Sequence, residues 1–257
     1  MKLMIYSEAE INILREGGKR LAYVLGEVAK KTVPGVKIFE LNDYAEKLIL
    51  EGGDTPAFLN YKPEGSGFPY PASLCVSVNE GIVHGISNGN SRVLKDGDVV
   101  GLDLGLRHNG FVTDMAVTVG VGKVDNESRK LIEATKQALY EGIGQARAGN
   151  TTGDIGHAVA EFGKKARFNV AEDLGGHGVG KNVHEEPFIP NFGRKGSGDK
   201  LRSGMVLAIE PMLNAGTKRI VLDDDGYTFN TADGKKSAHF EHTILITNGE
   251  PEILTKI

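Results

Sequence analysis

Residues 97–122 read GDVVGLDLGLRHNGFVTDMAVTVGVG. Two runs dense in Val and Leu flank Asn109-Gly110, the dipeptide with the strongest preference for a two-residue hairpin turn. With that turn, His108 pairs with Phe111, and counting back places Asp114 opposite Gly105. Side chains alternate along a strand, so Asp103 shares the face of Gly105 and lies diagonal to Asp114, at roughly 7–8 Å between backbones. The two carboxylates are expected to meet over a residue with no side chain. Unpaired on a buried face they would repel and lose hydration, so either one is protonated or a cation sits between them.

The opening of this stretch recurs further along the chain. Gly97-Asp98-Val99-Val100-Gly101-Leu102-Asp103 maps onto Gly204-Met205-Val206-Leu207-Ala208-Ile209-Glu210, and Asp114 with its apolar run to Gly122 maps onto Glu241 with its run to Gly249. The break Pro34-Gly35 with Leu41 maps onto Ala148-Gly149 with Ile155. Three matches in one order, with an acid at the same place in both copies, read as a duplicated α+β unit. The expectation is a single domain, 1–257, made of two pseudo-symmetric halves, about 1–124 and 125–257. Helical spacing supports the layout. Ser7 and Glu10 form a capping box ahead of Ile11, Leu14, Leu21, Leu25 and Val28, stopped by Pro34-Gly35. Leu41 to Ile49, Leu131 to Ile143 and Ile155 to Phe162 repeat the helical period. Strand patterns appear at Leu74 to Val78, Met205 to Ile209 and Ile244 to Ile246.

The 257 residues carry 30 Lys plus Arg against 34 Asp plus Glu, a net charge of -4, so no global basic field draws the chain to DNA or an anionic membrane. The N-terminal segment from Met1 turns acidic before an apolar core forms, and no window reaches the ~20 apolar residues of a membrane span. One cysteine, Cys75, cannot form an internal disulfide. Together these point to a cytoplasmic protein.

Asp103, Asp114, Glu210 and Glu241 all sit in strand-like apolar sequence, and four such acids ask for cations. His177 and His184 lie in the glycine-rich run 175–187, GGHGVGKNVHEEP, and His84 lies at a strand end in Asn79-Glu80-Gly81-Ile82-Val83-His84-Gly85. Carboxylates with imidazole and no paired cysteines suit Mn, Fe, Co or Zn. His108, His157, His239 and His242 lack such settings and read as surface or packing residues. Gly175 to Lys181 has the spacing of a phosphate-binding loop, but Asn182 follows where a hydroxyl is needed for Mg²⁺.

Ser77-Val78-Asn79-Glu80 through His84-Gly85, the Asp103–Asp114 pair, Gly176-His177-Gly178-Val179-Gly180, His184-Glu185-Glu186-Pro187, Ile209-Glu210-Pro211-Met212 and Glu241-His242-Thr243 together resemble type I methionine aminopeptidase over nearly the whole chain. The resemblance implies the pita-bread fold, a pseudo-twofold α+β architecture with a curved antiparallel sheet flanked by helices. It implies two divalent ions (Co²⁺, Mn²⁺, Fe²⁺ or Zn²⁺), with Asp114 and Glu241 bridging, Asp103 on one ion and His177 with Glu210 on the other. Glu210 resembles the family's general base, and His84 and His184 resemble its two histidines beside the substrate. Aligned positions give the methionine pocket as Phe58, Tyr61, Tyr70, Cys75, Val183 and Tyr227. Here Tyr227 and Val183 replace the Trp and Phe of the common bacterial pattern, and Lys62 to Pro69 lengthens a loop. The resemblance further implies removal of N-terminal methionine from nascent chains before a small second residue, by a monomer. Lys218, Arg219, Lys235 and Lys236 are the candidates to meet ribosomal RNA. Aminopeptidase P and prolidase share the fold and the metals, and are the nearest rivals.

Overall fold

The computed structural model describes residues 3–63 and 65–256. Met1, Lys2, Glu64 and Ile257, which enter the readings of the N-terminus, the 62–69 loop and the second half, lie outside the described residues. Among the described residues four helices are present: α1 (Glu8–Lys31), α2 (Ile38–Glu51), α3 (Asn126–Ile143) and α4 (Thr152–Ala166). The strands are β1 (Thr55–Pro56), β2 (Leu74–Val78), β3 (Gly81–Val83), β4 (Val99–His108), β5 (Phe111–Gly120), β6 (Asn169–Val170), β7 (Gly175–Gly178) and β8 (Glu185–Pro190). They continue with β9 (Val206–Ile209), β10 (Met212–Asn214), β11 (Ile220–Leu222), β12 (Phe229–Thr231), β13 (Ser237–His239), β14 (Glu241–Leu245) and β15 (Glu252–Ile253).

Local chemistry sets the helix boundaries. Ser7 and Glu10 close the capping box of α1, and Ile11, Leu14, Leu21, Leu25 and Val28 form its buried face. The helix ends at Lys31 with Thr32 as its C-cap, before the expected Pro34-Gly35 break. Asp125 caps α3 by accepting from the Ser128 amide, and Thr151 with Asp154 boxes the start of α4.

Nine strands make the central sheet, all paired antiparallel, along the path β1-β4-β5-β14-β9-β7-β8, with β2 on β4 and β15 on β14. Leu102, Leu104 and Leu106 of β4 pack with Leu21, Leu25, Leu41 and Ile49 of α1 and α2. Leu207, Ile209 and Ile244 pack with Leu139, Ile143 and Ile155 of α3 and α4. The helices thus take one set of alternating side chains, and the odd-numbered positions of β4, Asp103 and Gly105, turn the other way. This mixture of helices with an antiparallel sheet is the α+β pita-bread architecture expected. Among the described residues no helix is long and apolar enough to cross a membrane.

Candidate metal centre and substrate pocket

The β4–β5 hairpin turns at Asn109-Gly110, with His108 opposite Phe111, Gly105 opposite Asp114 and Asp103 opposite Ala116. On the far side of β5, Ala116 also faces Glu241 of β14. Asp103, Ala116 and Glu241 therefore form a row across three strands, with Asp114 two residues along from Ala116 on the same face. The next strands extend it. Glu210 follows β9, whose Ile209 pairs with His242, and His177 of β7 pairs with Ala208 of β9. Read across the sheet, the order is Asp103, Asp114, Glu241, Glu210, His177.

In register, Ala116 stands between Asp103 and Glu241, and Gly105 stands opposite Asp114 as the hairpin reading has it. A Cβ on Gly105 would come within 2.5 Å of Phe58 Cε1, so that space belongs to the Phe58 ring. Thr243 fixes the Asp114 backbone: its Oγ1 accepts from the Asp114 amide at 2.9 Å and donates to the Asp114 carbonyl at 2.7 Å. The glycines around His177 permit close strand packing. A Cβ on Gly176 would lie 2.2 Å from the Ala208 carbonyl oxygen, and one on Gly178 would lie 2.3 Å from that of Glu186.

All thirteen residues singled out from the sequence line one cleft of about 520 Å³, together with Pro63. Its polar end holds Asp103, Asp114, His177, Glu210, Glu241, His84 and His184. Its other end is walled by Phe58, Tyr61, Tyr70, Cys75, Val183 and Tyr227. There Tyr227 stacks edge-on against both Tyr70 and Phe68, at 5.1 Å between centroids in each case, and its hydroxyl donates to the Phe68 carbonyl. The Tyr70 hydroxyl donates to the Gly85 carbonyl at 2.8 Å, next to His84, whose φ is 60°. The Tyr61 hydroxyl lies 3.0 Å from His184 Nδ1, and the His184 ring stands edge-on to His177 at 4.5 Å. Two of the apolar walls thus also hold the histidine-bearing segments.

Among the described residues, no lysine or arginine lines this cleft. Burial raises the Asp103 carboxyl to about 7, and raises Asp114, Glu210 and Glu241 well above the ordinary carboxylate range. Burial also lowers His177 to about 3 and His84 to about 4. Asp103 Oδ1, Asp114 Oδ1 and Glu241 Oε1 are buried with no hydrogen-bond partner. Ligand atoms of Asp114, His177 and Glu241 lie within 4.8 Å of one another. Oxygen-rich donors, one imidazole nitrogen and orphaned carboxylate oxygens fit divalent transition ions.

His239, read from the sequence as surface or packing, borders this cluster instead. It is 2% exposed, and its Nε2 lies 3.3 Å from Glu210 Oε2. The available signal was strand alternation, because His239 sits two residues before Glu241 and so shares its face. His108 pairs with Asp54 at 2.7 Å and His242 with Thr255 at 2.9 Å, both away from the cleft lining.

The profile of metallopeptidase family M24 matches residues 12–248. A methionine aminopeptidase of Aquifex aeolicus is 46% identical over 261 aligned positions, covering 100% of both chains. The crystal structure of a methionine aminopeptidase from Thermotoga maritima superposes with a TM-score of 0.95 at 40% identity, again covering 100% of each chain. A prolidase from Pyrococcus horikoshii shares the fold, with a TM-score of 0.75 at 22% identity over 98% of this chain and 63% of its own. A profile match over most of the sequence, full-length relatives and an acid-and-histidine cleft on the same fold have one reading: the chain belongs to metallopeptidase family M24.

Proposed function

We propose that this protein is a methionyl aminopeptidase, releasing N-terminal methionine from nascent proteins and peptides whose second residue is small. The observation that carries this is the junction of the two ends of the cleft. One cleft is lined both by Phe58, Tyr61, Tyr70, Cys75, Val183 and Tyr227 and by the carboxylate cluster, so a side chain held among the former would present the carbonyl of its own residue to the latter. Aromatic walls with a protonated, buried thiol suit a flexible thioether.

Asp103, Asp114, His177, Glu210 and Glu241 are the side chains that would hold two divalent ions in this reading. Two such ions supply Lewis-acid polarisation of a peptide carbonyl and a water acidic enough to lose a proton near neutral pH. Glu210 takes that proton on a carboxylate oxygen. The Tyr61 phenol donates to His184 Nδ1, leaving the proton on Nε2, which donates to the scissile carbonyl oxygen as negative charge develops there. His84 contacts the substrate backbone or relays the proton held by Glu210 to the departing amine. The matched positions Asp103 with Glu210 and Asp114 with Glu241 support one domain of two related halves.

Substrates of this class emerge at the ribosome in the cytoplasm, and we place a monomer there. Of the four basic residues considered for ribosomal RNA, Lys218 pairs with Glu172 at 2.7 Å. Lys236 is engaged by the Gly97 carbonyl, Asp125 and Ser128. Arg219 and Lys235 are left as the side chains to meet it.

The test is hydrolysis of Met-Ala-Ser, Ala-Pro-Ala and Met-Pro-Gly by protein stripped with chelator and reloaded with Mn²⁺, Co²⁺ or Fe²⁺. Release of methionine alone, dependent on metal, is the expected result. Release of the residue before proline whatever its side chain, alanine from Ala-Pro-Ala included, transfers the protein to the prolidase group, and no release with any metal refutes the proposal.

A further inference from the structure

Glu210 is flanked by two imidazoles. His177 Nε2 lies 3.5 Å from its Oε1, and His239 Nε2 lies 3.3 Å from its Oε2. The first contact belongs to the proposed ligand set, and the second has no assigned purpose. His239 is 2% exposed, and its Nε2 has no hydrogen-bond partner. Leaving a buried nitrogen unpaired costs about 1–3 kcal/mol, which a fold avoids unless the group serves something.

The backbone around His239 is held firmly. Its amide donates to Thr118 Oγ1 at 2.9 Å, and Thr118 Oγ1 donates to its carbonyl at 2.7 Å. Met212 on β10 pairs with His239 on β13, which seats the imidazole beside the Glu210–Met212 corner. Phe240 turns into the apolar core with Ile209 and Ile244, so its two neighbours His239 and Glu241 point together into the cleft side. The backbone that carries the ring is therefore fixed, and the ring is packed away from water.

From this geometry we propose that His239 is a positioning residue of the metal centre. When the centre is loaded, its Nε2–H donates to Glu210 Oε2, which leaves Oε1 turned toward the His177 side. A carboxylate that must both hold a cation and accept a proton has two oxygens to divide between the tasks, and a fixed donor on one of them sets the division. Partners of this kind typically alter metal affinity or activity 10- to 100-fold when removed. The proposal rests on Glu210 being a ligand and base, as set out above.

The test compares His239→Gln with His239→Met, side chains of similar length of which only glutamine has a donor, with His239→Ala as the smaller apolar control if the methionine variant does not fold. Mn²⁺ binding is measured by titration calorimetry on chelator-stripped protein, beside kcat and KM on Met-Ala-Ser. The expected result is Mn²⁺ affinity and kcat within about threefold of wild type for glutamine, and both about tenfold lower for methionine, with KM little changed. Equal losses in glutamine and methionine overturn the donor role and make His239 either a direct ligand or a packing residue. Wild-type Mn²⁺ affinity in the methionine or alanine variant overturns it altogether. Failure of the aminopeptidase reading is seen separately, as metal binding by wild type without release of methionine.

Discussion

Substituting Gly176 by alanine tests whether strand packing positions the imidazole of His177. The new Cβ would lie 2.2 Å from the Ala208 carbonyl oxygen. That neighbour is backbone in the middle of the sheet, so no rotamer relieves the contact, and β7 must withdraw from β9 by roughly 1 Å, a displacement of the size that costs about 100-fold in rate when it reaches a reacting geometry. His177 is the adjacent residue and pairs with Ala208 itself, so it moves with the strand. Overpacking of this kind costs about 1–3 kcal/mol, which lowers the melting temperature by about 2–12 °C in a chain of this size. Metal affinity falls about 10- to 100-fold as the nitrogen leaves its place. Thermal melts of the metal-free protein, Mn²⁺ titration calorimetry and turnover of Met-Ala-Ser read the three effects. A Gly176→Ala protein that melts, binds Mn²⁺ and turns over like wild type would falsify the reasoning.

Tyr61→Phe keeps the pocket wall and deletes the hydroxyl 3.0 Å from His184 Nδ1; kcat on Met-Ala-Ser drops about tenfold with KM within about twofold, and a change confined to KM limits Tyr61 to the wall. Tyr227→Phe removes the tie to the Phe68 carbonyl, so KM rises several-fold while kcat holds, and an unchanged KM shows that the loop is shaped by other contacts. The metal-free protein loses stability as pH rises from 7 to 9. Asp103 titrates at about 7 when folded, and Asp114, Glu210 and Glu241 titrate well above their ordinary range. Stability from such raised carboxyls is complete below their unfolded values and is lost as pH climbs through the folded ones. His177 and His84, lowered to about 3 and 4, are neutral in both states across this window and do not offset the loss. Melts at pH 7, 8 and 9 in chelator give the answer, and a flat or rising melting temperature contradicts it.

The hairpin register was legible because Asn109-Gly110 leaves little choice of turn, and once His108 faces Phe111 every pair along β4 and β5 follows. The first-turn chemistry of α1 and its buried face were equally local. What lay beyond the sequence was non-local. Nothing near Ala116 announces that β14 will pair on its far side and bring Glu241 into line with Asp103. The space over Gly105 is taken by Phe58, which comes from the segment after α2. The burial of His239 agrees with its reading as a packing residue, but its place beside Glu210 was not legible, because its neighbours in space arrive on β10 and β5. Tyr61 and Tyr70 were legible as rings for an apolar wall, but the destinations of their hydroxyls, His184 and the Gly85 carbonyl, required the folded chain.

The two hydrogen bonds between Thr243 and Asp114 join residues 129 positions apart in the chain. They form at the seam where β5 meets β14, and the acids at that seam come from both sides of it. Closing such a long loop is the slow, entropically costly part of folding, and contacts of this separation form late. A chain that lacks β14 offers no Glu241 and has nothing to join β5 to β9, so a cation arriving early finds the Asp103–Asp114 and His177–Glu210 halves of its cradle apart. Ion capture is then a signal that the seam has closed, and at a free concentration about 1,000 times its dissociation constant it adds about 4 kcal/mol to keep it closed. The proposed centre would thus serve the fold as a late-setting clasp as well as a site of chemistry.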